Sequence, residues 1–341
     1  MINIREMKYK NMLKMTEHLR QNDYYTAEEK LVFSFSDLKF IEPAGALIFL
    51  STINKLRESK IPYEFESIDN VLHKSAISYG ERMGIFQKLG LSNEPIYREG
   101  STYIAPLEIN INQLFKELKM QETTIEEYYD TISEKIVNKI LMEFENYADE
   151  NIKDLFLFVI REMVRNVFDH SKASRFLYGA QMYSAHGYVE VVLADLGIGL
   201  KETIPFDEEE VWYGKDTDEA AIRKSVLPGL SAWSNHSYAP EDYKNSGYGL
   251  ALVKKIIEGT EGILCIASGT KSIEFSRNQE VVRDCDIKGT VIRMKICPEK
   301  LSQVDFSLIL ADAEKEATEK GFSNVPSTAS KRLKSKVVKK N

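Results

Sequence analysis

The chain has 341 residues, 43% of them hydrophobic, and a formal net charge of -7. This length predicts two domains with real cores, and the acidic balance excludes a generally nucleic-acid-binding surface, the basic stretch 331–340 being a local exception. Three cysteines, Cys265, Cys285 and Cys297, lack metal-ligand spacing and paired density, so neither a zinc knuckle nor a disulfide framework is expected.

A reducing cytoplasm fits that cysteine usage. The opening Met1-Ile2-Asn3-Ile4-Arg5-Glu6 lacks the apolar core of a signal peptide, and no uncharged apolar run approaches the roughly 18 to 20 residues that span a bilayer. A soluble protein with no membrane partner is therefore expected.

From Lys30 onward the apolar pattern predicts a strand over 31–35, a turn at Glu42-Pro43-Ala44-Gly45, an apolar helix over 46–56 and a second strand near 61–65. A further helical stretch over 71–83 and the segment Ile85-Phe86-Gln87-Lys88-Leu89-Gly90-Leu91 close a compact α/β unit near residue 100. Over residues 8–100 this order resembles a STAS domain, the small α/β module of anti-sigma-factor antagonists. Such antagonists carry a phosphorylatable Ser in an Asp-Ser-x-Gly-like turn. Here the turn offers no hydroxyl, so no phospho-switch is expected there.

Between about 107 and 150 the chain is strongly charged, with Ile132, Ile136, Ile140, Leu141 and Phe144 at helical spacing. These helices either lead into a second domain or form its outer layer. The expected division is 1–105 for the STAS-like domain, 106–150 for a helical connector, 151–300 for a second α/β domain, and 301–341 for an amphipathic segment with a basic flexible tail.

Four motifs lie in the second domain. The first, Ile160-Arg161-Glu162-Met163-Val164-Arg165-Asn166-Val167-Phe168-Asp169-His170, places Glu162, Asn166 and His170 at i, i+4 and i+8, one polar stripe on a helix. An Asn oxygen suits Mg²⁺ beside phosphates, and a Glu can orient or deprotonate an attacking water; a solvated helix face is the plainer reading. The second, Asp195-Leu196-Gly197-Ile198-Gly199, ends the apolar strand 189–194. A carboxylate there can accept a hydrogen bond from an adenine amino group, with glycines admitting the purine, although the composition also suits a simple turn.

The third motif is Asn245-Ser246-Gly247-Tyr248-Gly249-Leu250, running directly into the helical pattern 251–257. Glycines opening a helix free its first N–H groups for phosphate. The segment is neither a Walker A loop nor a Rossmann fingerprint, since it lacks the following Gly-Lys-Ser/Thr of the one and the preceding strand and third glycine of the other. The fourth is Gly289-Thr290 before the alternating strand 291–296, where a buried hydroxyl suits the purine or a water beside it.

In this order the four motifs resemble the gyrase, heat-shock chaperone, histidine-kinase and MutL (GHKL) superfamily over about 154–296. The resemblance implies helices layered on a mixed sheet, with ATP and Mg²⁺ held between the helices and a mobile lid. It implies that Asn166 holds the metal, Glu162 is the base, Asp195 binds adenine, Gly197 and Gly199 border the purine, Gly247, Gly249 and Leu250 line the phosphate side, and Thr290 lies near adenine. His170 stands where the anti-sigma kinase branch also has His, and is expected at the phosphate or the lid.

The interval between Gly199 and Gly247 would be the lid. Its acidic cluster Asp207-Glu208-Glu209-Glu210 repels phosphate and is expected to face solvent or a basic partner. Neither His18 nor His73 sits in a phosphoacceptor box, and too little chain follows Ile296 for a domain supplying a catalytic lysine. The expectation is a bacterial ATP-binding regulator with a protein partner, acting as a slow ATPase or a serine/threonine kinase, or else as a non-catalytic ATP-gated switch; a homodimer is compatible with either.

Overall fold

The computed structural model describes residues 1–22, 24, 30–68, 72–93, 102–141, 150–170, 172–230, 247–322, 324 and 326. The chain is a mixed α/β protein with several sheets, and no described helix is long and apolar enough to cross a membrane.

The N-terminal part begins with β1 (Ile2–Asn3), β2 (Glu6–Met7) and α1 (Tyr9–Gln21). It continues through β3 (Leu31–Ser34), β4 (Phe40–Ile41), α2 (Pro43–Glu58) and β5 (Tyr63–Phe65) to α3 (Lys74–Arg82) and α4 (Ile85–Leu89). Strands β1, β3 and β5 pair in parallel in that order, and β2 pairs in parallel with β4. Parallel pairing needs crossover connections, which the helices provide.

Helix α2 is apolar nearly all round and is buried from Pro43 to Asn54, as a helix sandwiched between layers must be. Pro43 opens it, where a missing N–H costs nothing. Gly45 is fixed by contact: a Cβ there would lie 1.9 Å from the Met7 carbonyl oxygen. The glycine of the Glu-Pro-Ala-Gly segment thus lets the first turn of α2 touch β2.

The second sheet has five strands in the order β6 (Tyr103–Asn110), β7 (Arg175–Tyr183), β8 (Tyr188–Asp195), β10 (Gln279–Ile296) and β9 (Ile263–Ser276). Every neighbouring pair is antiparallel. The expected boundary at 105/106 falls inside β6, so the stretch expected as a helical connector starts as an edge strand of this sheet. Pro106 stands at a register shift in that strand, the place an edge strand tolerates proline. Helices α5 (Ile111–Met120), α6 (Ile125–Leu141) and α7 (Glu150–His170) follow. Helix α6 packs against α7 in the layer covering the sheet, the second of the two roles open for this stretch.

Among the described residues, α8 (Leu200–Thr203), α9 (Glu208–Trp212), α10 (Asp218–Ser225) and α11 (Gly249–Gly259) lie between β8 and β9, and α12 (Phe306–Glu319) follows β10. Both faces of the five-stranded sheet are buried. One face carries Val189, Val191, Leu193, Leu264, Ile266, Ile292 and Met294 into a core with α6, α7, α11 and α12. The opposite face carries Leu177, Val192, Ala194, Cys265, Ala267 and Val291 into one core with the N-terminal part. Burial on both sides is why β8 reads as a continuous apolar run rather than an alternating one.

Candidate nucleotide site

Alternation along β8 points Asp195 to the helix-covered face, in phase with Val189, Val191 and Leu193. Its carboxyl group is 3% exposed. Oδ1 accepts the Gly197 N–H at 2.9 Å, and Thr290 donates both its backbone N–H and its hydroxyl. These partners are neutral, so burial dominates and pushes the carboxyl up to about 7.

The geometry around Asp195 depends on bare backbone. Register shifts in β10 between Asp284 and Thr290 form a bulge opposite β9, and Gly289 sits in it at φ 74°. A Cβ at Gly289 would lie 2.3 Å from the Asp195 carbonyl oxygen and 2.5 Å from Oδ1. Ser268 ties the pieces together by accepting the Leu200 N–H at 2.9 Å and donating to the Gly289 carbonyl at 2.9 Å. Gly199 passes directly over it, its missing Cβ only 3.0 Å from Ser268 Oγ. Asp195, Gly197, Gly199 and Thr290, from two motifs distant in sequence, thus form one polar cluster with Ser268.

The other predicted residues meet where α7 passes the start of α11. Glu162 is 3% exposed, and a Cβ on Gly249 would lie 2.2 Å from its Oε2. Its carboxylate therefore rests on the first turn of α11, the positive end of that helix. Asn166 lies one turn further along α7, half-buried, and its Nδ2 is enclosed without a hydrogen-bond partner among the described residues. Gly247, at φ 73°, has room for no side chain, since a Cβ would lie 2.3 Å from the Leu230 carbonyl oxygen. Leu250 is half-buried and packs on the helix-side core. His170 ends α7, and its side chain lies outside the described residues, as do residues 231–246 of the interval expected as a lid and the basic stretch 331–340.

Of that interval the described part is ordered by local rules. Asp207 caps α9 by accepting the Glu210 N–H at 2.7 Å, and Glu210 answers from the Asp207 N–H at 3.0 Å, a capping box. Glu210 also pairs with Lys224 at 2.6 Å, which holds its carboxyl below the ordinary range. Glu208 and Glu209 face solvent.

Sequence reading missed Ser268. Its only signal is a hydroxyl in phase with the buried Leu264 and Ile266 of β9. No family model matches the chain, and no curated protein matches it.

Proposed function

We propose that the chain binds ATP with Mg²⁺ in a GHKL-type site and acts as a regulatory protein with slow ATPase or serine/threonine kinase activity. One observation carries the reading. Asp195 is a buried carboxyl at the end of a strand whose partners among the described residues are neutral, bordered by Gly197, Gly199 and Gly289-Thr290, on the same sheet face over which Glu162 meets the glycine that opens α11.

The residues fit such a ligand. Gly247 and Gly249 add no side chain of their own at the start of α11, where Gly249 lies against the Glu162 carboxylate, and the enclosed Asn166 carboxamide has an amide nitrogen with no protein partner among the described residues. In this reading Asp195 accepts from the adenine amino group, and Thr290 and Ser268 hold its orientation. The first N–H groups of α11 face the phosphates. Asn166 would hold Mg²⁺ through its side-chain oxygen, and Glu162 would take the proton of the attacking water or hydroxyl. When bound, Mg²⁺ supplies positive charge to the phosphate oxygens. The residues before β6 are the STAS-like part, and β6 with the sheet and helices that follow it form the nucleotide-binding part; a protein substrate or partner completes the regulator. The second reading is a non-catalytic ATP-gated switch, favoured by the N-terminal part sharing a core with the sheet that carries Asp195.

Incubation with γ-labelled ATP separates the readings: label on protein marks a kinase, free phosphate an ATPase, and retained intact ATP a switch. Glu162→Ala is expected to keep Mg·ATP binding and lose most turnover, whereas Asn166→Ala weakens the Mg-dependent part of binding. Turnover by Glu162→Ala equal to wild type removes the base assignment. No ATP binding by the wild type removes the proposal.

A further inference from the structure

Helix α12 starts at the Asp305 cap and lays Leu310, Ala313 and Ala317 into the core beside α11. Its end is a Schellman-type turn: Gly321 takes φ 80°, Phe322 N–H reaches the Ala317 carbonyl at 2.9 Å, and Gly321 N–H reaches Thr318 at 3.0 Å. That turn sends the chain back over the helix layer. Phe322 then lies against Gly229, where a Cβ would be 3.0 Å from the Phe322 Cβ.

Two residues later the chain makes polar contact with both ends of the 230–247 connection. Asn324 Nδ2 donates to the Gly229 carbonyl at 2.7 Å, and the Tyr248 hydroxyl donates to the Asn324 carbonyl at 3.0 Å. The two ends are themselves joined, since Gly229 N–H donates to the Gly247 carbonyl at 3.2 Å. Gly229 and Gly247 both sit at positive φ, a conformation glycine adopts as readily as any other and therefore does not hold by itself. The Asn324 bonds add to the Gly229–Gly247 bond in holding these two glycines.

We infer that Asn324 is a positioning residue for the phosphate side of the site: it straps Gly229 and Tyr248 together and so fixes the Gly247-Tyr248-Gly249 turn from which α11 starts. The inference rests on the nucleotide reading above and adds to it a residue from outside the four motifs. Asp195 and Thr290, on the sheet, are not touched by the strap, so the two ends of a nucleotide should depend on it unequally.

Asn324→Ala in the full-length chain, titrated with Mg·ATP and with adenosine, reads that inequality. Loss of one partly buried hydrogen bond is expected to weaken ATP about fivefold and leave adenosine within about twofold. Hydrogen exchange gives a ligand-free readout: the Gly229 amide should exchange about fivefold faster in the variant, because its bond to Gly247 loses support. Tyr248→Phe, which releases the other end of the strap, should shift both readouts in the same direction. Equal loss for ATP and adenosine, or unchanged Gly229 exchange, overturns the inference. If the wild type binds neither compound, the nucleotide reading fails, and the Gly229 exchange rate alone decides whether the strap exists.

Discussion

Glu190 and Asp195 are carboxylic acids on the same buried strand, and they sit in opposite chemistries. Glu190 is fully buried on the face that meets the N-terminal part, where its Oε2 accepts from Arg293 at 3.0 Å and its Oε1 from the Ala44 N–H at 3.1 Å. Arg293 also reaches Glu42 at 3.4 Å and lies over the Tyr9 ring at 5.0 Å; Glu42 in turn accepts the Tyr9 N–H. Burial pushes the Glu190 carboxyl up, and the Arg293 guanidinium pulls against it. Asp195, on the other face, has no such cation among the described residues and its partners there, Gly197 and Thr290, are neutral. A buried acid with a matched cation is a structural joint. A buried acid left with neutral partners costs stability, which is the condition expected of a group held for a ligand.

The largest effect should come from breaking the joint. Arg293→Met leaves Glu42 and Glu190 with only the Lys295 ammonium, 3.8 Å from Glu190 Oε2, in place of the guanidinium, and is expected to cost about 3 kcal/mol in denaturant unfolding. A cost below about 1 kcal/mol would mean that the joint contributes little and the contrast between the faces is weaker than stated.

Asp195→Asn tests the other acid. It is expected to weaken ATP binding by about 1.5–3 kcal/mol, the worth of a charge-assisted hydrogen bond, as read by calorimetric titration. Its effect on the free protein should run the other way. The folded carboxyl titrates near 7 and the unfolded one near 3.8, so the folded state holds a proton that the unfolded state releases between those values. Wild-type stability should therefore fall as pH rises from about 4 to about 7 and then level off. The variant should lack that decline and be more stable than wild type at pH 8, by about 1–3 kcal/mol. Wild-type ATP affinity should rise through the same pH range, because the carboxylate is the accepting form. A variant that is less stable at pH 8 would place Asp195 among the joints.

Gly249→Ala asks whether Glu162 needs its seat. The new Cβ displaces the Glu162 carboxylate from the first turn of α11, an overpacking expected to cost about 1–2 kcal/mol of stability while lowering turnover more than ATP affinity. Unchanged turnover would detach Glu162 from the chemistry. The smallest effect belongs to an exposed acid: Glu210→Gln, at the partly exposed Lys224 pair, should change unfolding free energy by about 0.5 kcal/mol or less. A larger change would show that α9 depends on that pair.

The elements that carry the motifs were legible because their signals are local. The polar stripe of Glu162 and Asn166 lies on α7, the apolar run before Asp195 is β8, the glycines before 251 open α11, and the alternating run after Thr290 is the end of β10. Helix α2 was legible for the same reason, from its apolar composition, but its first turn, which begins at Pro43, was expected as a turn ahead of a helix starting at 46. By contrast, α1 gave no signal that was read, and β6 was hidden in a stretch expected to be helical, since an edge strand containing Pro106 forms only because β7 is there to pair with it.

By itself the sequence determined which residues could stand together on one helix face or one strand face, because periods of 3.6 and 2 are properties of the backbone. Only the tertiary structure decided which face met which partner. Asp195 and Glu190 differ by an odd number of residues, so the pleat alone sends them to opposite sides, but nothing local says that one side holds Arg293 and the other only neutral groups. The contacts of Ser268 with Gly289, Gly45 with Met7 and Asn324 with Gly229 are likewise long-range. They join segments whose distance apart is set by packing of the whole chain, a quantity that no window of sequence contains.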